Sequence, residues 1–184
     1  MSSRTASPIY QLKVTLKRIR PPIWRRVQVP GDIGLAALHG VIQTVMGWYD
    51  CHLHAFTIDG ELFYQDRETA QECGGRVIGR TRLNQVVQHE KARFLYEYDF
   101  GDSWEHEILV EKILPPEPGI AYPRCLAGKR ACPPEDVGGT WGYEELLSAI
   151  ADPDHPERDE MLEWVGDAFD PEAFDVEAMD MALR

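Results

Sequence analysis

Residues that could take part in chemistry are concentrated in one aromatic segment, Tyr96 to His106. Side chains alternate along a strand, so His106 shares a face with Trp104, and carboxylates stand close by in the sequence. Next to a carboxylate, a histidine can act as a general base or bind a metal ion, whereas on an apolar face it is more often a hydrogen-bonded core residue. We therefore treat this segment and a later acidic pair as a candidate ligand site, formed by Asp99, Asp102, Trp104, His106, Glu135 and Asp136.

Histidines and cysteines elsewhere in the chain are candidate ligands for a metal ion. His52 and His54 stand two residues apart, which places them on one face of a strand at a separation of about 7 Å. Cys125 and Cys132 lie in a segment rich in Pro and Gly, and a zinc ion there would need further ligands to converge. Buried free thiols, a metal site and a loop-closing disulfide all stay open as interpretations. The candidate metal ligands are His52, His54, His106, Cys125 and Cys132.

No complete catalytic motif is present in the sequence. The nucleophile-elbow, zinc-protease and dinucleotide-binding patterns are all missing, and the glycines at 138–139 lack the lysine of a phosphate-binding loop. We therefore expect a non-catalytic binding or adaptor protein without a cofactor, whose partner is a protein or a small ligand held near the Cys-, Pro- and Gly-rich segment. The alternative is a metal-dependent enzyme of zinc type, so the question of catalysis stays open.

The charge of the chain is distributed unevenly. Its net charge is −12, and residues 133–184 hold 16 acids against Arg158 and Arg184, which leaves +2 for the remaining residues. An acidic surface repels the phosphates of nucleic acids, so a nucleic-acid partner is not favoured for the protein as a whole. The first hairpin is locally basic, and DNA binding there is a further alternative. Its candidate residues are Arg18, Arg20, Arg25 and Arg26.

The elements that position these residues follow from side-chain periodicity and from turn residues. Strict alternation over residues 9–17 indicates a half-buried strand, helical spacing over 35–46 ends at Gly47, and Asp59-Gly60 is typical of a tight hairpin. The predicted strands span residues 9–17, 23–29, 53–58, 61–64, 94–100 and 103–113. The predicted helices span 35–46, 83–87, 144–151, 155–166 and 176–183, with loops at 65–80 and 114–142.

This order of elements predicts an α+β fold. We expect a mixed or antiparallel sheet with a β-β-α-β-β start of β-grasp-like pattern, followed by a C-terminal helical region. Residues 1–132 would form the strand-rich body, and the acidic helices of 133–184 would pack on it as one compact domain. No run approaches 18 consecutive apolar residues and no signal-peptide core is visible, so we expect a cytoplasmic protein without membrane contact.

Four long stretches carry a resemblance to a known family. They are residues 21–26 (PPIWRR) with Leu38-His39, residues 46–56 (MGW and HLHAF), residues 96–106 (YEYDFGDSWEH) and residues 122–143 (YPRCLAG through ACPPEDVGG to GY). Together they resemble the Ri-plasmid Orf-three-like family over residues 9–174.

The resemblance implies a bacterial protein of unassigned activity in a plasmid or mobile-element setting. Members are sometimes labelled as similar to transposon resolvases. A serine recombinase would need a nucleophilic serine just after its first strand, where this chain has residues 17–21 (KRIRP) and no serine.

Overall fold

In the part of the chain that the structure describes, eight strands form one mixed sheet, and six helices accompany it. The structure is a computed structural model, and it describes residues 7–166 and 168–184. The strands are β1 (Ile9–Leu16), β2 (Trp24–Pro30), β3 (His54–Ile58), β4 (Glu61–Tyr64), β5 (Arg76–Val77), β6 (Arg93–Tyr98), β7 (Trp104–Leu114) and β8 (Arg124–Lys129). The helices are α1 (Leu35–Met46), α2 (Arg67–Glu72), α3 (Leu83–Val86), α4 (Gly139–Ala151), α5 (Arg158–Val165) and α6 (Val176–Ala182).

The strand order is β5-β4-β3-β6-β7-β1-β2-β8. Neighbouring strands are antiparallel except for β4 and β5, which run parallel within the described part of the chain. These observations confirm the α+β class. The hairpin of β6 and β7 lies between β3 and β1, so the first four strands are not contiguous and the β-grasp-like pattern is limited to their order along the chain.

Helix α1 packs one face against the sheet because its apolar residues recur with helical spacing. Leu35, Leu38 and Ile42 are fully buried, and each such side chain stabilises the fold by about 1.5–3 kcal/mol. His39 and Gln43 are buried on the same helix although they are polar. The helix thus places these two polar side chains one turn apart on its buried face.

Gly47 ends helix α1 and turns the chain towards the candidate site. Its φ of 92° is a left-handed conformation that glycine adopts without strain, and its N–H donates to the carbonyl of Gln43. The six residues that follow, from Trp48 to Leu53, lead into β3 and include one of the predicted metal ligands, His52. The predicted C-terminal cap is therefore found where the sequence placed it.

The acidic C-terminal residues pack on the strand-rich body. Tyr143 and Leu146 of α4 are fully buried in the main hydrophobic core, and α6 packs on β8 and α1. The carboxylate of Asp180 accepts a hydrogen bond of 2.9 Å from the backbone N–H of Cys125. The ring of Phe174 lies 4.0 Å from the guanidinium of Arg25. These contacts place both charge regions around one core.

Two predicted loops contain regular structure. Residues 65–80 include α2 and β5, and α2 begins where the Asp66 side chain accepts a hydrogen bond from the N–H of Thr69. Residues 114–142 include β8, whose single buried residue is Cys125, so no alternating apolar pattern marks it. Helix α4 also begins five residues earlier than predicted, at Gly139.

Among the described residues, none of the helices is both long enough and apolar enough to span a bilayer.

Candidate metal centre

Three separate segments meet at the C-terminal end of helix α1. The indole N–H of Trp48 donates to the carbonyl of Pro133 at 2.9 Å, and the ring of Trp48 stacks on Tyr98 with 4.9 Å between centroids. The backbone N–H of Cys51 donates to the hydroxyl of Tyr98 at 3.0 Å. These contacts hold the segment after α1, the β6–β7 turn and the loop before α4 against each other.

His52 lies at the centre of three carboxylates, one or two from each neighbouring segment. Its Nε2 atom lies 3.1 Å from Asp136 Oδ1, 3.7 Å from Asp99 Oδ2 and 3.7 Å from Glu135 Oε2. The Nε2 atom is buried, and no described group makes a hydrogen bond to it. One ligand atom each from His52, Asp99 and Asp136 lies within 4.8 Å of the other two, which is a spacing that a metal ion could bridge.

Hydrogen bonds orient two of these carboxylates. Asp99 Oδ1 accepts from the N–H of Gly101 at 2.9 Å, which leaves Oδ2 facing His52. Glu135 Oε1 accepts from the N–H of Tyr49 at 2.8 Å and from the hydroxyl of Tyr98 at 3.1 Å, and its Oε2 faces His52. Such contacts from outside the ligand set fix the direction of metal ligands in proteins.

Asp102 connects the β6–β7 turn to the loop before α4. Its Oδ2 accepts from the N–H of Gly138 at 3.1 Å, and a Cβ placed on Gly139 would lie only 2.7 Å from the carbonyl oxygen of Asp102. Asp99 and Asp136 both have positive φ, at 56° and 57°. Non-glycine residues held in this sparsely populated region are enriched at functional sites.

The charges of this group favour a cation. Three carboxylates that converge on one imidazole repel each other, and a divalent ion among them would neutralise most of that repulsion. Oxygen ligands suit Mg²⁺ or Mn²⁺, while an imidazole ligand adds affinity for first-row transition metals. The side chain of Asp136 is 74% exposed, so solvent reaches one side of the group. We call His52, Asp99, Glu135 and Asp136 the His52 cluster.

His54 belongs to a second group of potential ligands. Its ring stacks on His39, with centroids 3.5 Å apart and planes inclined by 4°. His39, Asp50 and His54 each offer one atom within 4.8 Å of the others. The structure thus brings both predicted histidines of the 52–54 pair next to carboxylates, but it places them in different groups.

His106 is fully buried and lies in neither group. Its ring packs edge-on against Trp48, and its Nδ1 lies 3.3 Å from the carbonyl oxygen of Tyr96. Burial lowers the pKa of His106 to about 4, with hydrogen bonds to the backbone opposing the shift, so the ring is neutral near pH 7. Trp104 is buried beside it at 1% exposure. Both residues therefore support the site from within the core.

The cysteines do not join His54 and His106 in a zinc site. Cys125 and Cys132 are free thiols, and among the described residues neither belongs to a group of three potential ligands. Burial raises the pKa of both thiols, which the nearby Arg25 guanidinium partly opposes. These four candidate ligands therefore do not form one group among the described residues, because β8 and the segment that follows it place the thiols beside the buried guanidinium of Arg25.

The basic hairpin is largely neutralised. Arg25 is buried at 1% exposure and donates from Nε to the carbonyl of Val45 at 2.7 Å, so it cannot contact a nucleic acid. Arg26 pairs with Glu111 at 2.6 Å and Arg18 with Glu105 at 3.0 Å. Of the four candidates, Arg20 alone is exposed without an acidic partner among the described residues.

Residue-by-residue reasoning overlooked His39, Asp50 and the backbone contact of Tyr49. One signal for Asp50 was visible, since Asp50, His52 and His54 alternate in one short segment. No local signal existed for His39, which lies on the apolar face of a helix and reaches the site only through packing.

Comparisons with known proteins place the chain in a family. The model of the plasmid pRiA4b ORF-3-like protein matches residues 8–178. The uncharacterized protein y4hQ of Sinorhizobium fredii (strain NBRC 101917 / NGR234) is 44% identical over 161 residues, which cover 86% of this chain and 81% of that protein. The crystal structure of a protein of unknown function, MM3350 from Methanosarcina mazei Go1, is similar with a TM-score of 0.85 and 41% identity, covering 94% of this chain and 98% of that one.

These similarities and the fold define an α+β protein that is built on a mixed sheet. The chain belongs to the plasmid pRiA4b ORF-3-like family, which confirms the resemblance seen in the sequence. The relatives named here have no assigned activity.

Proposed function

We propose that this protein binds a divalent metal ion at the His52 cluster and uses open positions on that ion to bind an organic ligand. The observation that carries the proposal is the position of His52 Nε2, which is buried without a hydrogen-bond partner among the described residues and lies within 3.7 Å of three carboxylates. A cation between these groups would satisfy the imidazole nitrogen and the free carboxylate oxygens together.

The geometry supports an ion with open coordination positions. Asp99 is 8% exposed and the side chain of Glu135 is 15% exposed, so both would approach an ion from the protein side. Asp136 and the open side of His52 face solvent. A metal ion held by three or four protein ligands on one side keeps positions for water or for a ligand on the other.

A cavity next to the cluster supports ligand binding. It has a volume of about 260 Å³ and shares Asp136 with the cluster; the other lining residues include Glu145, Glu160, Met161 and Trp164. Its carboxylates disfavour an anionic ligand, whereas Trp164 and Met161 offer apolar contact. We therefore expect a neutral or cationic organic ligand that coordinates the metal through an oxygen or nitrogen atom.

Exposed aromatic side chains surround the same region. Tyr49 is 81% exposed, Trp141 is 83% exposed and Phe100 is 39% exposed, and each lies in a segment that contributes to the cluster or adjoins it. Large exposed aromatic residues around a polar site are typical of binding surfaces. This observation supports a binding function, as expected from the sequence, more than an enzymatic function.

Metal binding is the first measurable outcome. Protein freed of metal by chelation should bind one Mn²⁺ ion at the His52 cluster, measured by equilibrium dialysis with elemental analysis. Asp99→Asn removes one carboxylate oxygen that faces His52 and should weaken this binding by at least about 100-fold. Glu107→Gln is the matched control, since it removes the same charge from the same hairpin at a residue that pairs with Arg93.

Two outcomes would contradict the proposal. Less than about one-tenth of an ion per chain in the wild-type protein, at Mn²⁺ concentrations of about 1 mM, would exclude a metal site of useful affinity. Equal binding by Asp99→Asn and Glu107→Gln would place the ion elsewhere. Hydrolysis of phosphoester or peptide substrates by the metal-loaded protein, lost in Asp99→Asn, would change the class from a binding protein to a metal-dependent enzyme.

A further inference from the structure

We propose that a second metal ion binds between His39, Asp50 and His54, at a position distinct from the His52 cluster. One nitrogen of each imidazole and one oxygen of Asp50 lie within 4.8 Å of each other. Two imidazoles and one carboxylate form the ligand set that zinc commonly uses in sites that keep an open fourth position. The chemistry therefore points to Zn²⁺ here, in contrast to the oxygen-rich His52 cluster.

The ring nitrogens of His54, buried and unpaired among the described residues, indicate that this residue binds a ligand. Its side chain is only 5% exposed, yet neither ring nitrogen has a hydrogen-bond partner within the described residues. The amide of Gln65 lies near enough to oppose the lowering of its pKa but does not complete a hydrogen bond. Leaving a buried polar group unpaired costs about 1–3 kcal/mol, and such groups in folded proteins call for an explanation. Coordination of an ion would remove this cost.

Hydrogen bonds fix the orientation of the His39 ring, as they commonly do for a histidine that binds a metal ion. Its Nδ1 lies 2.8 Å from the hydroxyl of Tyr96, which in turn accepts from the amide of Gln43 at 2.9 Å. The carbonyl of that amide accepts from the N–H of Asp50 at 3.1 Å, which fixes its orientation. The opposite nitrogen, Nε2, lies 2.7 Å from Asp50 Oδ1. An ion bound to Nε2 would take the place of the proton shared there, with the ring proton moving to Nδ1.

Both imidazoles are available as neutral ligands. Burial lowers the pKa of His39, which Asp50 opposes, and it lowers the pKa of His54 to about 4. Burial thus favours the neutral form of imidazole, which is the form that coordinates a metal ion.

The stacked rings must separate when the ion binds. An ion lies in the plane of each imidazole that coordinates it, and two parallel planes 3.5 Å apart cannot both contain one ion. We therefore expect the His54 ring to rotate away from His39 on binding. This rearrangement gives a signal that does not depend on any activity.

The two metal positions use residues of one chain segment, but they have no ligand in common. Asp50, His52 and His54 alternate along it, and the rings of His39 and His52 both contact Tyr98, at centroid distances of 6.4 and 5.7 Å. The experiment can therefore remove one position and leave the other.

Metal stoichiometry tests the inference. The wild-type protein should bind two Zn²⁺ ions per chain, measured by elemental analysis after dialysis, and His54→Gln and Asp99→Asn should each bind one. His89→Gln, a change of an exposed histidine outside both groups, should still bind two. In proton NMR spectra, Zn²⁺ should shift the His39 ring signals in Asp99→Asn but not in His54→Gln. Circular dichroism confirms that each variant is folded.

The possible failures are distinguishable. If His54→Gln and Asp50→Asn both bind as much Zn²⁺ as the wild type, the second position does not exist, whatever Asp99→Asn shows. If Asp99→Asn binds as much as the wild type while His54→Gln loses one ion, the His52 cluster fails as the metal site and the second position stands.

Discussion

His106 shows how one buried side chain couples the stability of this protein to pH. The ring is completely buried against Trp48 and Tyr96, and its Nε2 has no hydrogen-bond partner in the described part of the chain. A charge placed there would lose its hydration without finding an acidic partner among the described residues. The neutral ring is therefore tolerated in the folded protein, whereas the unfolded chain accepts a proton at an ordinary pKa.

The stability of the protein should fall on acidification through this histidine. The pKa of His106 is about 4 in the folded protein and 6.5 in the reference state, so the unfolded chain binds more protons between these values. The free energy of unfolding should decrease as the pH falls from 6.5 to about 4, by up to about 3 kcal/mol for this residue. Urea unfolding across this window should give a shallower pH dependence for His106→Asn than for the wild type.

Parallel pH profiles for the two proteins would contradict this prediction. His54, with its pKa also lowered to about 4, should leave a residual slope in His106→Asn. His89→Gln is a suitable control because its side chain is exposed and it should keep the full wild-type slope.

At the scale of elements, the start of helix α4 controls whether the carboxylates of the His52 cluster come together. Gly139 has a φ of 69°, and a Cβ there would lie 2.7 Å from the carbonyl oxygen of Asp102. This close approach positions the loop that carries Glu135 and Asp136 against the turn that carries Asp99. Only glycine fits both the backbone conformation and the contact.

Gly139→Ala should therefore affect both stability and metal binding. We expect a loss of about 2 kcal/mol in the free energy of unfolding, from the positive φ and the clash, and a metal affinity at the His52 cluster lower by roughly 10–100-fold. Gly119→Ala is the matched control: its φ is 78°, but no atom of the described residues lies within 4 Å of an added Cβ, so it tests the conformational cost alone. Normal Mn²⁺ binding by Gly139→Ala would mean that this contact does not position the cluster.

The elements predicted from the sequence were those with strong periodicity. The strands β1 and β7 and the helix α1 were found because one face of each is buried and their patterns repeat over eight or more residues. Strand β8 was missed because it is an edge strand with one buried residue, held by pairing with β2 and by α6. The short elements α2 and β5 were missed for the same reason, since each buries too little surface to leave a pattern.

At the scale of the whole molecule, the C-terminal residues close one edge of the sheet. The ring of Phe174 lies 4.0 Å from the Arg25 guanidinium, and it occupies the space where a Cβ on Gly128 would lie, 2.4 Å away. A buried arginine is costly unless it is well paired, and Phe174 covers it together with carbonyl oxygens of Val45 and Lys129. Phe174 thus connects the acidic region to the body.

Removing the ring of Phe174 should lower the stability of the whole protein. Phe174→Ala should lower the free energy of unfolding by about 2 kcal/mol, since a partly buried aromatic side chain and a cation–π contact are lost. Met181→Ala, in the same region but 67% exposed, should change it by less than about 0.5 kcal/mol. Thermal unfolding followed by circular dichroism measures both, and equal stability of the two variants would show that Phe174 does not connect the regions.

The sequence by itself determined the α+β class, the hairpin of β6 and β7, the helix that ends at Gly47 and the family. These depend on patterns that lie within a few neighbouring residues, where burial of one face leaves a period of two or 3.6. Tertiary structure decided which chemical groups meet. His52 joins Asp99 and Asp136, His54 joins His39, and the cysteines face Arg25 instead, because strand order and loop packing bring together residues far apart in the chain. No local pattern encodes those distances, since they depend on the order in which β3, β6 and β7 pair.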